Sequence, residues 1–218
     1  MSDVVKMLES AGAIRKGHFV LSSGRHSDTY VEKHDVLASP KWTEQFTQDI
    51  ARKVHDFLQS QGASVSTVAG VATCGITLAQ RVAFHLSKMN GREIVGIFAD
   101  RANDKQLSFK RGEWGERHIK GKNILLVDDM ITSGDSQKRM IDLVRSAGGH
   151  IVATAVMMSR NPSVTTESLG VPLIALASID VPSHVDADCP LCQAGVPVNE
   201  RPGYGKEYLQ KKAAALSV

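Results

Sequence analysis

Three cysteines among 218 residues are too few, and odd in number, for a disulfide framework, so reduced thiols are expected. No apolar run approaches the ~18 residues that a membrane-spanning helix needs. The opening Met1-Ser2-Asp3-Val4-Val5-Lys6 has no basic leader ahead of an apolar stretch, so a cytoplasmic location without a membrane partner is expected. Charge of one sign is not in excess: the net value of +3 is too small to argue for a nucleic-acid partner, though it is compatible with an anionic substrate. Internal repeats and low-complexity segments are missing as well, and a chain of 218 residues holds one sizeable core with at most a small appended segment. A composition that is 42% hydrophobic and 22% charged belongs to a soluble globular domain.

What is present centres on Ile124-Leu125-Leu126-Val127-Asp128-Asp129-Met130-Ile131-Thr132-Ser133-Gly134-Asp135-Ser136. Ile124 to Val127, apolar without alternation, predict a strand buried on both faces, and Asp128 and Asp129 follow where that strand would leave the core. Thr132, Ser133, Gly134, Asp135 and Ser136 are small or turn-forming, and Gly134 permits a turn tight enough to aim several backbone N–H groups at one point. Gln137 to Ala147 then places Met140, Val144 and Ala147 on one helical face, so the turn opens onto a helix N-terminus that favours an anion. Two carboxylates would repel a bare phosphate and must bind hydroxyls or a metal-bound polyol. A sugar phosphate satisfies both halves. The stretch is neither Gly-x4-Gly-Lys-[Ser/Thr] nor Gly-x-Gly-x-x-Gly, which excludes the common nucleotide loops. An ordinary capped strand-to-helix turn is the bland alternative.

An apolar strand, two acids and a Thr-x-Gly-x-[Ser/Thr] loop resemble the phosphoribosyl pyrophosphate (PRPP) signature of the type I phosphoribosyltransferases. The resemblance implies that Asp128 and Asp129 hold the ribose hydroxyls and that Thr132 to Ser136 wrap the 5′-phosphate. Upstream, Val65 to Val71 predicts a strand, Ala72-Thr73-Cys74-Gly75 breaks it, and Ile76 to Leu86 continues as a helix, which again delivers small residues at a helix start. By the same resemblance, Thr73, Cys74 and Gly75 take the pyrophosphate end of PRPP. A buried structural thiol is the plainer reading of Cys74.

Nearer the start, Gly17-His18-Phe19…Leu21-Ser22-Ser23-Gly24-Arg25-x-Ser27 reads as a strand, a polar turn and a second strand, Thr29 to Val31. This spacing is similar to the N-terminal hood of the orotate phosphoribosyltransferases, which implies that Ser23, Gly24, Arg25, Ser27 and Tyr30 lie near orotate. A surface hairpin is the alternative. Ser39-Pro40 starts a helix as a cap and first-turn proline do, with Trp42, Phe46, Ile50, Val54 and Phe57 recurring at helical spacing as core. Glu93 to Phe98 predicts a further strand. Asp100 to Lys122 then loses periodicity, as a lid or an insertion would. In the family a mobile basic loop here reaches the partner subunit's site and supplies a lysine. Arg101 would bind PRPP, and Lys105 or the Lys110-Arg111 pair would be catalytic, although no histidine stands among Arg101, Lys105, Lys110 and Arg111 where the family's common pattern has one. His150 to Met158 predicts a strand followed by Arg160, the position at which the family binds the orotate carboxylate; Thr132 joins it on the orotate side. A planar guanidinium suits that task.

Leu173 to Ser178 predicts the last core strand. In the tail, Cys189 and Cys192 have zinc-ligand spacing, with only His184 near as a third candidate. A Cys-Pro-Leu-Cys tail of this kind also occurs in some orotate phosphoribosyltransferases. The expected fold is therefore α/β: a central, mostly parallel sheet flanked by helices, as a core over 37–179, with a small hood over 1–36 and a tail over 180–218 that packs on them within one domain. The resemblance further implies Mg²⁺, held mainly by PRPP and water, and a homodimer that shares its lid. A phosphoribosyltransferase for another base and a PRPP-sensing regulator remain as alternatives.

Overall fold

The computed structural model describes residues 3–21, 23–103, 106–109 and 113–216, and the chain forms two compact units, Met1–Ala38 with Val181–Val218, and Ser39–Asp180. In the first unit, α1 (Asp3–Ser10) buries Val5 and Leu8 and leads into an antiparallel hairpin of β1 (Ile14–Val20) and β2 (His26–Val31), followed by α2 (Lys33–Ala38). Both strands are longer than the apolar patterning indicates. Ile14 to Lys16 pair with Thr29 to Val31 although Arg15 and Lys16 face water, and Lys16 answers Asp28 across the pair at 3.4 Å. Charged residues on an open face leave the ladder intact but hide the period-two signal.

The second unit runs α3 (Pro40–Ser60), β3 (Thr67–Val71), α4 (Cys74–Asn90), β4 (Val95–Asn103), β5 (Gln106–Ser108), α5 (Glu113–Ile119), β6 (Asn123–Ile131), α6 (Asp135–Ser146), β7 (His150–Ser159), α7 (Thr166–Leu169) and β8 (Leu173–Ser178). The sheet order is β5-β4-β3-β6-β7-β8, with β4, β3, β6, β7 and β8 mutually parallel and β5 antiparallel at the edge. Alternation along the strands sends Ala69, Val71, Ile97, Ala99, Ile124 and Leu126 into one core with Ile119, Met140, Ile141 and Val144 of α5 and α6. The opposite face meets α4: a Cβ on Gly96 would lie 3.0 Å from the Cα of Gln80. Helices thus cover both faces, as a buried parallel sheet requires.

Three expectations change. In α3 the buried stripe is Phe46, Ile50, Val54 and Leu58, whereas Trp42 and Phe57 are only half-buried at its margins. The segment from Asp100 is not wholly irregular, because β4 continues to Asn103, β5 returns against it, and α5 follows. Its charged side chains conceal a ladder that needs only backbone groups. Finally, β6 does not end at Val127 but runs on to Ile131, since β7 still pairs with it at Asp128, Met130 and Ile131.

The tail returns to the first unit through a 3₁₀ turn (Asp186–Asp188), α8 (Pro190–Gln193) and α9 (Gly205–Leu216). His26 and His184 exchange backbone bonds of 2.7 and 2.8 Å beside β2, while Asn199 and Tyr204 donate to His18 and Val20 of β1 at 2.8 and 2.9 Å. Both edges of the hairpin are thereby occupied.

Candidate active site

The chain leaves β3 for β4 on one side of the sheet and then returns to place β6 on the other, so the strand order reverses between β3 and β6. Open parallel sheets bind ligands in the crevice beyond the strand carboxyl ends at such a reversal. The segments that follow these strands carry the residues singled out above.

Asp128 and Asp129 sit in the second half of β6, beyond the final β3 pairing of Gly70 with Val127. Alternation puts Asp128 on the α6 side of the sheet and Asp129 on the α4 side. Asp128 is half-buried and firmly held: its own Oδ1 accepts from the Asp129 amide at 2.9 Å, and its Oδ2 accepts from Gln137 Nε2 at 2.9 Å. The Gln137 amide is oriented in turn by Thr154 on β7, whose hydroxyl donates to Oε1 at 2.8 Å. Asp129, expected at an exposed rim, is instead only 3% exposed. The strand persists past both acids, so the second is sunk between its neighbours.

After Ile131 the chain turns through Thr132, Ser133 and Gly134 into α6, with Gly134 as N-cap at φ +83°. A Cβ there would lie 3.2 Å from Leu169 Cδ2 and 3.4 Å from Val164 Cγ1, so both conformation and space call for glycine. Ser133 Oγ donates to Asp135 Oδ2 at 2.8 Å and accepts from the Asp135 amide at 3.4 Å. Among the described residues, the amides of Thr132, Ser133 and Gly134 donate to no protein acceptor. Together with Ser136 at the start of α6 they form an anion cradle.

The second cradle follows β3. The Ala72 amide donates to Ala99 at 2.9 Å, the Ala72–Thr73 peptide is cis, and α4 begins at Cys74. Gly75 stacks directly on Gly70, and a Cβ on Gly75 would meet the Gly70 carbonyl carbon at 2.8 Å. Two glycines back to back let the first turn of the helix press onto the strand, and Thr73 to Gly75 curl over its end. Cys74 is in no disulfide.

Arg101, exposed in β4, and Arg160, 9% exposed just after β7, flank these loops along the same carboxyl edge. The Arg160 amide donates to Ile131 at 2.9 Å, which ties the end of β7 to the end of β6. Lys105, Lys110 and Arg111 lie outside the described residues. Ser23, Gly24, Arg25 and Tyr30 belong to the other unit. There, Arg25 Nε donates to Ser183 Oγ at 3.0 Å and its Nη2 to the Ser183 carbonyl; Ser27 donates to the Pro182 carbonyl at 2.9 Å, and the Tyr30 ring packs on Phe19 with centroids 5.5 Å apart. The structure brings the PRPP candidates and Arg160 onto one edge of one sheet. It adds Gln137, which carried no local signal in the sequence.

Residues 42–171 match the phosphoribosyl transferase domain family. An orotate phosphoribosyltransferase from Caldanaerobacter subterraneus subsp. tengcongensis is 32% identical over 93% of this chain and 97% of its own length. The chain belongs to the orotate phosphoribosyltransferase family. A solved orotate phosphoribosyltransferase from Aeropyrum pernix superposes with a TM-score of 0.58 at 26% identity, covering 80% of this chain and 93% of that one. Adenine phosphoribosyltransferase from Saccharomyces cerevisiae superposes with a TM-score of 0.58 at 16% identity, over 79% and 98% of the two chains, so the fold is shared by enzymes for different bases. For an orotate phosphoribosyltransferase family member, the donor set at this edge, carboxylates and hydroxyls, suits a hard oxygen-seeking cation such as Mg²⁺. Asp128 already spends both oxygens on protein donors. That fits an ion held mainly by substrate and water. No helix of the described residues is long and apolar enough to cross a membrane.

Proposed function

We propose that the chain transfers the 5-phosphoribosyl group of PRPP to orotate, giving orotidine 5′-monophosphate and pyrophosphate, a step of pyrimidine nucleotide synthesis. The observation that carries this reading is the meeting of an acid pair and two small-residue cradles at the sheet's reversal point, in a chain related along most of its length to orotate phosphoribosyltransferases.

In this reading the amides and hydroxyls of Thr132 to Ser136 receive the 5′-phosphate, and Thr73 to Gly75, with Arg101, receive the pyrophosphate. Asp128, aimed by Gln137, takes the ribose hydroxyls together with Asp129. Displacement at the anomeric carbon builds positive charge on the ribose ring, and two fixed carboxylates nearby stabilise it. The Arg160 guanidinium pairs with the orotate carboxylate, with Thr132 on the orotate side, and Ser23, Gly24, Arg25 and Tyr30 of the hood are orotate residues by the family resemblance. Mg²⁺, when bound, offsets charge on the pyrophosphate. A lid cation, Lys105 or the Lys110-Arg111 pair, acts on the same leaving group from the partner subunit of a homodimer. Cysteines in no disulfide suit a reducing, cytoplasmic setting.

Pyrophosphate release from PRPP, measured with orotate, uracil, adenine and hypoxanthine in turn, tests the proposal. Turnover with orotate alone is expected. Turnover with another base reassigns the substrate, and binding of PRPP without release of pyrophosphate makes the chain a sensor.

A further inference from the structure

Four side chains from opposite ends of the sequence meet in the first unit: His18 on β1, His26 on β2, and Cys189 and Cys192 around α8. One ligand atom from each lies within 4.8 Å of all the others, and His18, His26 and Cys189 are at most 1% exposed. His184, the nearest histidine in sequence to the cysteines, is not among them.

The proton count at this cluster is unusual. His18 Nδ1 lies 2.7 Å from the Val196 carbonyl, which can only accept, so the proton sits on Nδ1 and Nε2 presents a lone pair. Toward that single lone pair converge His26 Nδ1 at 2.8 Å, Cys189 Sγ at 3.6 Å and Cys192 Sγ at 3.7 Å. The Cys192 thiol can turn its proton to Asp186 Oδ1 at 3.2 Å, and the four atoms, all within 4.8 Å of one another, then offer lone pairs that can share one cation. His26 Nε2 is buried with no hydrogen-bond partner and packs edge-on against the Tyr208 ring, 4.7 Å between centroids.

We propose that His18 Nε2, His26 Nδ1, Cys189 Sγ and Cys192 Sγ form a closed, tetrahedral structural Zn²⁺ site that clamps the tail to the hood hairpin. Zn–N near 2.0–2.1 Å and Zn–S near 2.3 Å set tetrahedral N···S edges at about 3.6 Å. Three of the four observed N···S separations are 3.6, 3.7 and 3.4 Å, and the fourth, Cys189 to His26, lies within 4.8 Å. The two imidazoles, 2.8 Å apart, open by roughly 0.6 Å to reach the tetrahedral N···N edge. Two thiolates and two neutral imidazoles sum with Zn²⁺ to zero charge, which suits a buried site. Each thiol gives its proton to solvent on binding. Without a cation, burial and the Asp186 carboxylate, 3.2 Å from Cys192 Sγ, push that thiol up to about 12. Asp186 keeps a second partner, Lys212 at 3.5 Å, once the thiol proton is gone. The Nδ1–H bond of His18 to Val196 fixes the imidazole as zinc sites usually require. Four protein ligands leave no open position, so the metal braces the unit and takes no part in catalysis.

The test reads metal content, independently of transferase activity. Untagged full-length chain grown with Zn²⁺ and dialysed without chelator is expected to hold one zinc per chain, and Co²⁺ exchanged into it to give the intense visible absorption of tetrahedral thiolate-ligated cobalt. Chelation of the wild-type chain is expected to lower Tm by roughly 10 °C, reversed by Zn²⁺. Cys189→Ser with Cys192→Ser, and His18→Ala, lose the zinc, while His184→Ala retains it. If the cysteine variant does not fold, the wild-type zinc stoichiometry and cobalt spectrum decide alone. Zinc-free wild-type protein, an octahedral cobalt spectrum, a Cys189–Cys192 disulfide, or zinc lost from His184→Ala but kept by His18→Ala would each overturn the assignment.

Discussion

Asp128 shows how much of the site is set by residues that do not touch substrate. Its carboxylate is aimed by Gln137, and Gln137 by Thr154, a relay from β7 through α6 to β6. The Asp128 carboxylate, which only accepts, fixes which end of the Gln137 amide faces it, and the Thr154 hydroxyl donates to the other end. Gln137→Ala should therefore raise KM for PRPP and lower kcat/KM about tenfold, the size expected when a hydrogen bond to a charged group is removed. Gln137→Glu, of equal size but opposed to the carboxylate, should be worse than the alanine. Steady-state kinetics at varied PRPP check both, and equal KM values in all three proteins would remove Gln137 from the site. The acid pair is legible in sequence because two adjacent carboxylates after an apolar run stand out. Gln137 is not, since nothing local distinguishes a buried glutamine in a helix from an exposed one. Nor are His18 and His26 visible as partners of Cys189 and Cys192, since positions over 160 residues apart are brought together by the tail's fold.

Among the elements, the strand and helix pattern of the second unit follows from sequence: Ser39-Pro40 opens α3, and the β7 and β8 strands lie where the apolar runs place them. The end of β6 does not, because polar Asp128 and Asp129 mask a ladder sustained by the long apolar neighbour β7. The segment after Asp100 is hidden because β5 is only three residues long and α5 is short and charged. The two cradles depend on glycine for different reasons. Gly134 is held at φ +83°, so Gly134→Ala should destabilise the fold by roughly 1–2 kcal/mol and weaken PRPP binding. Gly75 is in an ordinary conformation but lies against Gly70, so Gly75→Ala should push α4 away from β3, loosen the grip on the pyrophosphate end of PRPP and lower kcat/KM. Urea unfolding with PRPP titration separates the two; a Gly75→Ala protein that binds PRPP normally would count against the second cradle.

At the scale of the molecule, the sheet order puts the strand ends that carry chemistry side by side at one reversal point. The proposed lid cation from a partner subunit requires a dimer. Lys105→Ala and Asp129→Asn proteins, each inactive alone, should recover about a quarter of wild-type activity on mixing one to one, since half the dimers are mixed and each has one intact site. No recovery, with subunit exchange demonstrated, would place the lid in its own subunit's site. The central claim, that the two acids of β6 hold the ribose while it carries charge, is met most directly by kcat for orotate with Asp128→Asn and Asp129→Asn, alongside their Tm. The account predicts that kcat falls roughly 100-fold or more in each, with Tm changed by only a few degrees; turnover at the wild-type rate in both folded variants would contradict it.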